Sequence, residues 1–228
     1  MNNPKTHPKR RVLVTGAARG IGKAIAALYA EHGHEVLTPG RAELDLSSVS
    51  AVESYVADTP PDIDILINNA AENMVVPLDR LAAADWERLL AINLTAPMLL
   101  MLHAARGMSA RGWGRVVNIS SCFSLVSRAG RGAYAATKAG LNGLTRTAAI
   151  EYASRNVLVN AVCPGFVETD LTRQNNSAEQ IADLCRQVPL GRLAQPDEVA
   201  RYVYFLGSDD NTYITGQTAV IDGGFLCQ

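Results

Sequence analysis

Short apolar runs, each ending in small or polar residues and separated by stretches of helical period, do most to limit the folds open to this chain. "RVLVTG", "HEVLTPG", "AELDL", "IDILINNA", "GRVVNISS", "VLVNAVCPG" and "TAVIDGG" read as strands. Their apolar residues are consecutive, as a sheet covered on both faces requires. Between them "GIGKAIAALYAEHG", closed by Gly33, "AADWERLLAINLTAPMLLMLHAARGMSARG", "AYAATKAGLNGLTRTAAIEYASR" and "QPDEVARYVYFLGS" carry helical patterns with plausible caps. This order predicts an α/β chain, a parallel sheet with helices on both faces. No repeat or shift in composition marks a boundary, and 228 residues with 48% hydrophobic and 19% charged side chains suit one domain spanning 1–228. The strand runs end at Thr15 and Gly16, Asn68 and Asn69, Ser120 and Ser121, and Pro164 and Gly165. In an open α/β sheet ligands bind beyond the carboxyl ends of the strands, so these residues mark the expected site.

Composition narrows the partners. A net charge of −1 gives no broad electrostatic reason to bind nucleic acid or an anionic membrane, and a small, neutral partner suits it better. "MNNPKTHPKRR" runs into the first strand without the apolar stretch of a signal peptide, so residues 1–10 read as a flexible lead-in. "PMLLMLHAA" is the longest apolar candidate, and His103, Arg106 and Gly107 interrupt it, so a soluble, cytoplasmic protein is expected. Cys122, Cys163, Cys185 and Cys227 lack ligand or disulfide spacing and read as free thiols. His7, His32, His34 and His103 form no cluster with carboxylates, so no metal is expected. The polar stretch at about 166–195 reads as a lid, mobile without substrate and ordered with it.

Two motifs carry chemistry. "TGAARGIG" follows the first strand and opens the first helix with Gly-x-x-x-Gly-x-Gly spacing. Gly16 and Gly20 permit a tight turn and close approach to a pyrophosphate at the helix N-terminus, and Gly22 permits packing of helix on strand. In "YAATK", Tyr134 and Lys138 are i and i+4 and share a helix face. A fixed cation there would lower the phenol pKa and tune it as a proton donor. Such a pair also arises by chance, so the remaining motifs must decide.

"TGAARGIG", "NNAA", "INLTAP", "NISS", "YAATK", "PGFVETD" and "ITGQTAVIDGG" occur in one order along nearly the whole chain, which thereby resembles the classical short-chain dehydrogenase/reductase family. The resemblance implies a doubly wound Rossmann fold and a catalytic tetrad of Asn93, Ser121, Tyr134 and Lys138. Tyr134 would exchange a proton with the substrate oxygen and Ser121 would hydrogen-bond that oxygen. Lys138 would lower the phenol pKa and bind the nicotinamide ribose, and Asn93 would hold a water. It also implies a dinucleotide held by Gly16, Arg19, Gly20, Ile21 and Gly22, by Asn69, Ala70 and Ala71, by Tyr134 and Lys138, and by Pro164, Gly165, Val167 and Thr169. Ala71 stands where the family has glycine. Asp45 and Leu46 match its adenine-contacting pair.

At the end of the second strand, the family position of a ribose-binding carboxylate falls on Gly40, followed by Arg41. Absence of the carboxylate and presence of arginine favour NADP over NAD. "TPGRAELDLSS" is short and lacks the helix that normally separates the second and third strands. "PGFVETDLTR" and "VPLGRLAQPDEVA" resemble the 3-oxoacyl carrier-protein reductase branch. Arg173 takes a position associated there with the carrier, while a second such position falls on Gly112 beside Arg111. The implied substrate is a small carbonyl compound, free or carrier-bound, with Ser121 and Tyr134 at its oxygen and Cys122, Phe123 and Phe166 forming an apolar wall. An NAD-dependent alcohol dehydrogenase working oxidatively is the alternative. A nucleotide sensor without turnover is a further class, which a complete tetrad disfavours. The resemblance also implies a homo-oligomer, tetramer or dimer, assembled partly through the C-terminal strand.

Overall fold

In the computed structural model, residues 8–228 are described. His7 and most of the lead-in lie outside them. Arg10, expected in that lead-in, is anchored: it pairs with Asp209 at 2.8 Å and its guanidinium lies 3.6 Å over the Trp113 ring.

Six parallel strands form the sheet: β1 (Arg11–Val14), β2 (Glu35–Leu37), β3 (Ile65–Asn68), β4 (Gly114–Ile119), β5 (Val157–Pro164) and β6 (Thr218–Ile221), in the order β2-β1-β3-β4-β5-β6. Side chains alternate between its faces. Leu13, Leu66, Val116 and Val159 pack into one apolar layer, and Val12, Val14, Ile65, Ile67, Val117 and Ile119 into the other. The first layer is completed by α2 (Val49–Asp58), α4 (Ala96–Arg111) and α5 (Gly132–Tyr152), the second by α1 (Gly20–Glu31) and α8 (Pro196–Gly207). This double covering is the reason the strands read as unbroken apolar runs. The chain leaves β1 toward β2 on one side and returns to β3 on the other, which opens a crevice at their carboxyl ends.

"AELDL" is not a strand. The chain turns at Gly40, where the backbone N–H groups of Glu43 and Leu44 both donate to the Gly40 carbonyl, and the sheet ends at β2. Leu44 is buried, so the apolar signal came from a turn pinned by one core leucine. As expected, no helix intervenes before it. A helix unread in the sequence, α2, follows, capped by the Ser48 hydroxyl accepting from the Ala51 N–H.

The long helical stretch before β4 divides into α3 (Ala83–Leu90), a π-helical turn Ala91–Thr95, and α4, which ends on Gly112 in the left-handed conformation. Ala83–Arg111 is, by length and composition alone, apolar enough to cross a membrane. Here Leu100, Met101, Ala104 and Met108 cover the sheet. The polar segment expected as a lid contains α6 (Asp170–Asn175) and α7 (Ala178–Arg186), the latter with a reciprocal Ser177–Gln180 capping box.

Candidate active site

Glycine is required where the loop after β1 folds back on the end of β3. Gly16 has φ +67° and a Cβ there would stand 2.9 Å from the Ala70 Cα; Gly20 has φ +56°. A Cβ on Gly22 would meet the Gly16 carbonyl oxygen and Asn69 Nδ2 at 2.4 Å, so Gly22 makes room for the loop itself, not for the strand as expected. Thr15, expected only as a strand end bordering the site, ties this corner together. Its hydroxyl accepts the N–H groups of Asn69 and Ala70 at 3.0 Å each, while Asn69 Nδ2 donates to the Thr15 and Gly16 carbonyls. Helix α1 starts without a side-chain cap or an acidic first turn, leaving its N-terminal N–H groups for an anion.

Two cavities lie over the carboxyl ends of the strands. One of about 690 Å³ is walled by Gly16, Arg19, Gly40, Arg41, Asp45, Leu46, Ala70 and Ala71, among others. A second of about 220 Å³ is walled by Ile21, Asn69, Ala71, Ser121, Tyr134, Lys138, Pro164, Gly165, Val167 and Thr169. Ala71 belongs to both walls, so the two cavities are neighbours, with Arg41 in the wall of one and Tyr134 in the wall of the other. Gly20 and Gly22 line neither cavity and shape the loop from below.

In the smaller cavity Tyr134 and Lys138 share one face of α5, with Lys138 Nζ 5.8 Å from the Tyr134 ring centroid. Lys138 is buried and donates to the Ile119 carbonyl at 2.7 Å. Burial drops its pKa to about 8. Tyr134 departs from expectation: burial pushes the phenol above its ordinary value, outweighing the downward pull of its hydrogen bond with Ser121. The Lys138 ammonium does not reverse that direction. The Ser121 oxygen accepts the Phe123 N–H at 3.1 Å, and the Ser120 hydroxyl donates to the Lys138 carbonyl at 3.2 Å, fixing the β4 terminus against α5.

Asn93 sits fully buried in the π-helical turn. Its Nδ2 donates to the Glu72 carbonyl at 2.9 Å and to Thr137 Oγ1 at 3.2 Å, and its Oδ1 accepts the Glu72 N–H at 2.8 Å. Both side-chain protons are therefore occupied, and only oxygen lone pairs remain for a water. The expected apolar wall is only partly formed. Cys122 and Phe123 are buried behind the cavity, and burial pushes the Cys122 thiol up. Phe166 meets Phe123 edge-on at 6.3 Å and lines a separate recess of about 70 Å³.

At the far end of the cleft Arg41 is 83% exposed and lies 3.7 Å from Asp45, and Arg19 forms no ion pair among the described residues. Asp45 accepts the hydroxyl and N–H of Ser47, and the hydroxyl bond chiefly holds its carboxyl below the usual range. Glu43, also unread in the sequence, accepts the Gly40 N–H at 2.8 Å and places a carboxylate beside the turn.

The family described as enoyl-(acyl carrier protein) reductase matches residues 42–226. A 3-oxoacyl-(acyl-carrier-protein) reductase of Vibrio cholerae is 40% identical, with 93% of this chain and 95% of the relative aligned. The chain belongs to the short-chain dehydrogenase/reductase family. Another member of it, a cis-4-hydroxycyclohexanecarboxylate dehydrogenase of Sinomonas cyclohexanicum, is 37% identical over 95% of this chain and 96% of its own. Among solved structures, a gluconate 5-dehydrogenase of Burkholderia cenocepacia in complex with NADP and tartrate superposes with a TM-score of 0.91 at 31% identity, covering 98% of both chains. As in these relatives, the short-chain dehydrogenase/reductase chain is an oxidoreductase acting on the CH–OH/C=O pair.

Proposed function

We propose that the protein is an NADPH-dependent ketoreductase in which Tyr134 is the general acid, Ser121 the charge-stabilising donor, Lys138 the ribose and phenol anchor, and Asn93 the positioning residue of the π-helical turn. The convergence of Ser121, Tyr134 and Lys138 in a cavity that meets the larger cleft at Ala71 carries this reading. The cleft suits a dinucleotide. Left-handed glycines and uncapped N–H groups lie at its phosphate end, and cationic Arg19 and Arg41 at its outer end. NADPH, when bound, supplies the hydride that reaches the carbonyl carbon. Tyr134 gives its proton to the carbonyl oxygen, turning C=O into CH–OH, while the Ser121 hydroxyl stabilises charge developing on that oxygen. With its amide protons engaged, Asn93 fixes Glu72 and Thr137, and any water it holds must donate to its oxygens.

Two directions for the substrate follow from the relatives, a carrier-bound 3-oxoacyl thioester or a small hydroxy or oxo acid. Arg173 pairs with Glu168 at 2.8 Å, and Arg111 donates to the Pro61 and Ile63 carbonyls, so neither is held ready for an acidic carrier. Four free cysteines accord with a reducing, cytoplasmic setting.

Cofactor choice supplies the test. Arg41→Ala weakens NADPH about ten- to a hundredfold and leaves NADH nearly unchanged, the range for losing a charge-assisted hydrogen bond. Gly40→Asp moves preference toward NADH by repelling the phosphate. The measurement is the ratio of catalytic efficiencies with the two cofactors. A wild type that favours NADH refutes the NADPH assignment, and the Glu43 carboxylate would then be the ribose partner.

We propose further that the chain forms a homo-oligomer through the outer faces of α4 and α5, where Leu102 and Ile150 expose apolar surface. Light scattering at micromolar concentration gives a multiple of the 24.4 kDa chain mass. A monomer refutes it.

A further inference from the structure

Two arginines on the segment that joins Ser121 to Tyr134 have uncharged partners. Arg128 donates to Gln187 Oε1 at 2.7 Å, and Arg131 donates to Asn73 Oδ1. Among the described residues neither forms an ion pair, whereas Arg10, Arg88 and Arg192 each meet a carboxylate. Both guanidinium groups lie over the same ring: Arg131 Cζ is 5.4 Å and Arg128 Cζ 5.5 Å from the Phe123 centroid, and Arg128 is also 5.7 Å from that of Phe166. Phe123 is two residues beyond Ser121, Arg131 is three residues before Tyr134, and Arg131 interacts electrostatically with the Tyr134 phenol.

Arg131 Nε is buried and has no acceptor. A buried, unsatisfied charged donor is unfavourable, and a second like charge beside it adds repulsion. Burial indeed lowers the Arg131 pKa, and Arg128 contributes in the same direction. Arg131 is also the N-cap of α5, whose first N–H groups add partial positive charge at the same point. Aromatic stacking and the two amides hold the guanidinium groups in place in advance, as an anion site requires.

We propose that Arg128 and Arg131 form a carboxylate-binding subsite and that the substrate is a small oxo acid, bound with its carboxylate on the arginines and its carbonyl at Tyr134. This rests on the ketoreductase reading and adds a substrate class to it. The small volume of the Tyr134 cavity, about 220 Å³, and the electrostatic interaction of Arg131 with Tyr134 favour an anion close to the carbonyl over one at the end of a carrier arm. It also replaces the neutral partner suggested by the net charge of −1, which is silent about a local pair of cations.

The test is steady-state reduction of one 3-oxo acid, its methyl ester and its N-acetylcysteamine thioester by wild type, Arg128→Met, Arg131→Met and Arg131→Lys. Methionine keeps the packing over Phe123 without the charge. The wild type is expected to prefer the acid, and each methionine variant to raise its KM about tenfold or more, the scale of one charge-assisted hydrogen bond. The ester is expected to change less than about twofold, and Arg131→Lys to recover part of the loss, since only the ionic contribution is restored. Equal use of acid and ester by the wild type, equal loss on all substrates in the variants, or preference for the thioester overturns the subsite. Failure of the wild type to reduce any of the three or a neutral ketone with NADPH overturns the ketoreductase reading instead.

Discussion

Tyr134→Phe lowers turnover about 10²- to 10⁴-fold, the range for losing a positioned general acid, while NADPH affinity stays close to that of wild type. The ring of phenylalanine fills the same space on α5 above Lys138, so the cleft keeps its shape and only the transferable proton is removed. Burial raises the Tyr134 pKa, so the phenol is fully protonated at neutral pH and ready to donate. Reduction should therefore remain active through neutral pH and fall only as the phenol ionises. Oxidation of the alcohol needs the phenolate and should rise toward alkaline pH. Opposite pH slopes for the two directions, both absent in Tyr134→Phe, are the expected signature. Turnover of the variant within a few-fold of wild type would sink the assignment.

Lys138→Met is expected to pull activity and stability in opposite directions. Turnover is expected to fall because the variant loses the cation that neighbours the phenol and is proposed to anchor the ribose. Stability rises because a buried ammonium, held by one carbonyl at 2.7 Å, is replaced by an apolar side chain of similar length. The drop of the Lys138 pKa from 10.5 to about 8 implies a cost of its charged form. That cost is on the order of 3 kcal/mol, since one pKa unit corresponds to about 1.4 kcal/mol. For a chain of this size it corresponds to a Tm increase of several degrees near neutral pH. The folded value lies below the unfolded one, so between about pH 8 and 10.5 the unfolded chain binds a proton that the folded chain has released. The Lys138 contribution to wild-type stability therefore rises with pH across that window and is absent from Lys138→Met. Thermal melting from pH 7 to 10.5 checks both points. A variant that melts below wild type at pH 7 would show that the lysine's hydrogen bond outweighs its burial cost.

The sheet was legible because it depends on patterns short enough to read in line. Continuous apolar runs such as "VLVNAVCPG" follow from burial on both sheet faces, and helix geometry placed Tyr134 and Lys138 on one face, while their proposed role came from the family resemblance. "AELDL", residues 42–46, read as a strand but folded as a turn, shows the limit of that reading. Leu44 gives an apolar signal in either conformation, and only hydrogen bonding to the Gly40 carbonyl distinguishes them. Helix α2 was missed although "SSVSAVESYVADT" is as periodic as α1; Val52 is its one buried residue, and its Ser48 cap becomes visible only when the hydroxyl meets the Ala51 N–H.

Residue types and their order along the chain determined by themselves that this is a parallel α/β fold, because fold-forming patterns are properties of the linear sequence, and the resemblance of its ordered motifs to a known family implied an oxidoreductase. Tertiary structure decided what surrounds those residues. It showed that Gly22 yields to the loop and not to the strand, that Thr15 joins β1 to β3, and that Asn93 is engaged by Glu72 and Thr137. It also reversed the expected direction of the Tyr134 pKa and brought Arg128 and Arg131 over Phe123 with amides as partners. The physical reason is common to all of these. Desolvation, charge pairing and steric room depend on distances between residues far apart in the chain, and those distances exist only once the sheet has brought the strand ends together.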